Sequence, residues 1–156
     1  MTSTLPTALF VLHLIGAILW VGGMAFAILV LRPALAVIAL PDRLALHAEV
    51  FRRFFLIIWH VMPIVLLTGW ALLFGWYGGF RDAGVHVHVM NLTGVLMAVV
   101  FLAVWFGPYR AFRKAMAAGG GVAAATLANR VRLLVTANLV LGLATSAVAG
   151  LGRFGL

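Results

Sequence analysis

Four apolar runs divide the chain, at roughly 7–31, 54–76, 87–107 and 133–151. None holds an Asp, Glu, Lys or Arg. Runs of this length without charge are the pattern of membrane spans rather than of core helices. Backbone groups in lipid must be satisfied within the protein, and no run alternates like a strand, so four spans mean four helices. The expectation is an all-α membrane protein, a four-transmembrane-helix bundle formed as one domain over residues 1–156.

The connections carry their own signals. Pro33 and Pro41 punctuate a short link after the first span. "LALHAEVFRRFF" reads as an interfacial helix leading into the second span, where Pro63 is expected to kink the helix, since it lacks a donor and crowds the preceding turn. "YGGFRDAG" reads as a tight turn, and "AAGGGVAAATLAN" as a flexible linker. The leader "MTSTLP" lacks the basic segment of a cleaved signal peptide, and the run behind it is too long for one.

Composition fixes the solvent. Hydrophobic residues make up 65% of the 156 positions and charged residues 9%, against about 25% charged in a soluble domain. There is no cysteine, which excludes disulfides, iron–sulfur clusters and thiolate metal sites. The net charge of +8 would suggest nucleic acid in a soluble chain, but here its placement matters more. Arg32, Arg43, Arg52 and Arg53 follow span one, and Arg110, Arg113, Lys114, Arg130 and Arg132 follow span three. Only Arg81 and Arg153 lie on the other side, a division of nine to two. Basic loops stay in the cytoplasm. The expected topology is therefore N-out/C-out in a bacterial inner membrane, with both termini periplasmic and no nucleic-acid partner.

Ionisable residues at membrane depth are functional candidates, and here they are histidines. His13 lies about 10 Å into span one. His86 and His88 begin span three, followed by Met90. Helical spacing gives span one a face of His13, Ala17, Trp20 and Met24, and span three a face of His86, Met90, Thr93 and Met97. His60 belongs to a deeper layer of span two, and His47 lies in a connection. Three readings compete. The imidazoles tie helices together by hydrogen bonds. Alternatively, they ligate haem b, with His13 opposite His86 or His88, and with Gly16, Ala17 and Trp20 as pocket material. Or they bind copper, with His13, His86, His88 and Met90 as donors and Met24, His60 and Met62 deeper down. The glycines scattered through the spans let helices approach closely or make room for a flat cofactor.

"HLIGAILWVGGMAFAILVLRPAL" resembles the opening helix of the CopD family, named from copper resistance protein D. The resemblance runs on through "FRRFFLIIWHVMPIVLLTGWAL", "HVHVMNLTGVLMAVVFLAVWFGPYRAFRKAM" and "NRVRLLVTANLVLGLATSAVAGLGRF". It implies copper handling at the inner membrane. The chain lacks the further spans of the longer copper-resistance members. The same opening resembles, more weakly, the HemJ type of protoporphyrinogen oxidase, but His86 and Met90 stand where that family carries Trp and Lys. The expected function is a His-ligated redox cofactor, haem b, held on the periplasmic side by His13, Trp20, His60, His86 and His88 for electron transfer. The alternatives are copper binding or passage and, behind it, HemJ-like porphyrinogen oxidation. The expected partners are the lipid bilayer, a redox partner or periplasmic copper protein, and a second copy of the chain.

Overall fold

The computed structural model describes residues 4–155, without the side chain of Arg153; the first half of the leader "MTSTLP" and that arginine side chain lie outside it. Helix α1 is Thr4–Ala25, and a π-helical turn at Phe26–Leu31 carries it on. Helix α2 is Leu40–Gly75, and α3 is Val85–Val104. A π-helical turn at Trp105–Tyr109 joins α3 to α4, Arg110–Ala117. Helix α5 is Gly121–Arg153. No strand occurs among the described residues. Four helical stretches are long and apolar enough to cross a membrane, so the protein is a multi-pass, all-α membrane bundle. Thr4, Gly155 and the 76–84 turn lie at one end of it, the terminal end. The two other connections lie at the opposite, basic end.

Two expectations change. The interfacial helix and the second span are one unbroken rod of 36 residues. At 1.5 Å per residue this is about 54 Å, against a hydrocarbon core of about 30 Å, so residues 40–53 extend beyond the apolar stretch. No breaker separates the two segments. Glu49 reinforces the join, accepting from Arg52 at 2.8 Å and from Arg53 at 2.6 Å, one turn on. Those guanidiniums, Arg52 first, hold the Glu49 carboxyl down at about 2. The rod stays helical through Pro63. A backbone break falls at Gly107, with φ −93° and ψ −106°, because the residue before a proline is pushed out of the helical region and Pro108 donates no hydrogen bond. Finally, the expected linker is mostly helix. Gly119, at φ +70°, makes the turn, and the alanine-rich stretch behind it starts α5, as its helix propensity favours.

The helices form two hairpins. α1 packs along α2, and α3 packs along α5, while contact between the pairs is thinner. The pairs meet most closely toward the basic end, around Phe55. Its ring lies 4.5 Å from that of Tyr109, 5.8 Å from Trp105 and 5.9 Å from Phe101. The break at Gly107 helps here, since Tyr109 and Phe112 just beyond it are both buried. Close approach of the helices is set by glycine. A Cβ on Gly16 would stand 2.6 Å from Val65, and one on Gly142 would stand 2.8 Å from Val21 and 3.0 Å from Met97.

Candidate functional site

His13 is fixed by α2. Its Nδ1 lies 2.9 Å from the Val65 carbonyl oxygen and 3.2 Å from the Thr68 hydroxyl oxygen. A nitrogen facing a carbonyl carries the proton, so Nδ1–H donates, and Nε2 keeps its lone pair. Thr68 is buried and in turn donates to Ile64 at 2.6 Å. Gly69 makes the fit possible, since a Cβ there would stand 3.0 Å from the imidazole. A ligating histidine commonly has this arrangement, one ring nitrogen donating to a carbonyl and the other free.

The other candidates disperse. The His86 ring rests on Gly152 of α5 and beside Gly84. His88 stacks on Phe80 of the 76–84 turn, with ring centroids 5.9 Å apart. His60 donates from Nδ1 to Leu56 of its own helix at 2.8 Å and lies on the exposed side of α2. Trp20 is buried in the core, as are Met24, Met62 and Met97. Trp70, Trp76 and Tyr77 are exposed at the terminal end, and Trp70 donates to Asn91 at 2.9 Å, a cross-tie between the hairpins. Among the described residues, no three His, Asp or Glu side chains gather as a metal cluster.

Depth sorts these residues further. Gly142 faces both Val21 and Met97, which puts those two at one level. Counting about 1.5 Å per residue from there, His13 stands about 12 Å toward the terminal end, Met90 about 10.5 Å and His86 about 16.5 Å. Met90 is therefore level with His13, and His86 is one turn farther out.

The two faces read from helical spacing hold, but they change character along their length. Trp20, Met24 and Met97 are buried, whereas His13, Ala17, His86, Met90 and Thr93 are only partly so. Among the described residues, α3 has no buried position before Met97, and α5 has none beyond Gly142. The α3 and α5 faces are thus less buried toward the terminal end than toward the basic end, whereas α2 keeps Thr68 and Leu73 buried there. The faces there are polar. Thr145 donates to Thr93 at 2.7 Å.

Sequence reasoning missed Asn138. It is buried one turn below Gly142, and its amide donates to the Met97 carbonyl at 3.3 Å. Its Oδ1 has no partner among the described residues. A carboxamide inside an apolar run was the available signal. The glycines favour close helix approach: Gly16, Gly69, Gly142 and Gly152 each meet a side chain of a neighbouring helix.

No family model, no curated protein and no solved structure matches this chain.

Proposed function

We propose that the protein is a CopD-like component of a bacterial inner membrane that holds a redox metal, haem b, in the terminal half of the bundle, with His13 as ligand. The observation that carries this reading is the His13 imidazole. It is locked by Val65 and Thr68 with Nε2 free, on a face left incompletely buried beside a second, polar helix pair. An imidazole nitrogen without a partner at membrane depth is costly unless something binds it. The residues present suit a haem. His13 offers one imidazole and His86 another on the opposing pair, Ala17 and Thr93 are small, and Trp20 closes the floor. When bound, the group supplies reversible one-electron chemistry. The protein's part is to fix the His13 tautomer and to shield the iron from the basic end. The nine-to-two division of basic residues supports a periplasmic position for this half.

A second reading is a bare copper ion. Met90, level with His13 and partly exposed on the facing helix, favours it, because thioether and imidazole together suit Cu(I). The absorption spectrum of the purified protein separates the two. Haem gives a Soret band that disappears in His13→Ala and survives Met90→Leu. Copper gives a colourless protein whose Cu(I) uptake falls in both variants. A protein that takes up neither, and whose His13→Ala variant changes only in stability, would leave the imidazoles as helix ties and overturn the reading.

A further inference from the structure

At the basic end, a half-open cavity of about 210 Å³ lies between the end of α1, the first half of α2 and the first half of α5. Its walls are apolar, with Ile28, Leu44, Phe54, Ala128 and Val131 among them. Arg32, Arg43 and Arg132 also line it. No Asp or Glu lines it. The one carboxylate in an ion pair among the described residues, Glu49, is taken by Arg52 and Arg53. Arg43 is held in place by donating from Nη2 to the carbonyls of Ile38 at 2.7 Å and Ala36 at 3.2 Å. Arg132 donates from Nε to Asn129 at 2.8 Å, which leaves its terminal nitrogens for another acceptor. His47, also in the lining, is pushed down by burial and by the neighbouring Arg43 and Arg32. The charge around the cavity at neutral pH is therefore that of three guanidiniums.

An apolar recess beside unpaired cations matches one kind of occupant, an apolar chain that ends in an anion. Its location narrows the source. Arg32 marks the point where the apolar run of α1 stops, which is where hydrocarbon gives way to headgroups. We propose that this cavity is a binding site for one anionic phospholipid of the adjoining leaflet, an acyl chain against Leu44, Phe54 and Ala128 and the phosphate on Arg32, Arg43 and Arg132. Guanidinium suits phosphate because its fork of donors matches two phosphate oxygens at once. The site differs from a general attraction of the basic end for anionic lipid, which Arg52 and Arg53 would serve equally well.

Native mass spectrometry of the detergent-purified full chain, titrated with phosphatidylglycerol, phosphatidylcholine or oleate, tests this. The wild type is expected to retain one phosphatidylglycerol in clear preference to phosphatidylcholine. Arg32→Gln with Arg132→Gln should weaken that retention about 30-fold, from the attraction of two arginines for an anionic lipid. Arg52→Gln with Arg53→Gln should leave it within about twofold, because those side chains face Glu49. Ala128→Leu, which fills the recess and keeps every charge, should also displace the lipid, and it decides the matter if the double arginine variant does not fold. Equal retention of phosphatidylcholine, an equal loss in the Arg52/Arg53 pair, or full retention in Ala128→Leu would overturn the site. Preferential retention of oleate would overturn the assignment to a phospholipid.

Discussion

The two halves of this bundle are built from the same four helices and differ in what lies between them. Toward the basic end, Phe55 sits among Phe101, Trp105 and Tyr109, and the hairpins interlock through rings. Toward the terminal end the ties are fewer, the Trp70 to Asn91 bond and the contacts of the Phe80 ring with Phe74 and His88, and the facing positions on α3 and α5 remain partly exposed. Between helices in lipid there is little hydrophobic drive, so contact area and shape decide adhesion. The half with interlocking rings supplies that adhesion. The half without it is free to hold something else.

The widest separation of the halves is expected from truncating one side chain in each. Phe55→Ala leaves a cavity among rings and should cost about 3–5 kcal/mol in a reversible unfolding titration. Met90→Ala removes a side chain that is not enclosed, and should cost about 0.5 kcal/mol or less in the protein without cofactor. Equal costs would break the comparison. A smaller effect separates tight from open glycines. Gly142→Leu forces Val21 and Met97 apart and should cost about 1–3 kcal/mol. Gly22→Leu, with nothing near its missing Cβ, should be close to neutral in the same titration. The smallest effect is a pH dependence confined to the basic end. His47, outside the apolar stretch of α2, titrates below the ordinary 6.5, first because of burial and then because of Arg43 and Arg32. The folded protein thus resists a proton that the unfolded chain accepts, so stability is full above about 6.5 and declines as pH falls below it. His47→Phe should flatten that decline, and an unchanged pH profile would remove His47 as its source.

The spans were legible because a charge-free run of this length has one outcome in lipid, and the helical faces of α1 and α3 followed from spacing alone. His13, Trp20 and Met24 do fall on one side. What spacing could not reveal was the partner of each face. His13 reads as a residue pointing into the bundle, but its hydrogen bond to Val65 depends on how α1 crosses α2 at Gly16 and Gly69. That crossing comes from three-dimensional fit. The break at Gly107 was equally hidden: Gly107 lacks a side chain to resist the conformation that Pro108 imposes. Asn138 escaped notice because a single amide hardly alters the hydropathy of the run around it.

The hairpin pairing bears on how the chain enters the membrane. α1 and α2 are joined by a short link and pinned by His13, and α3 and α5 are joined through α4 and the 118–120 turn and tied by Thr93 and Thr145. Within each pair His13 and Thr145 find their partners, whereas Trp70 and Asn91 satisfy each other only once the pairs meet. Two successive helix pairs can therefore enter the bilayer in turn, and the Trp70 to Asn91 bond and the rings around Phe55 close only once both have arrived.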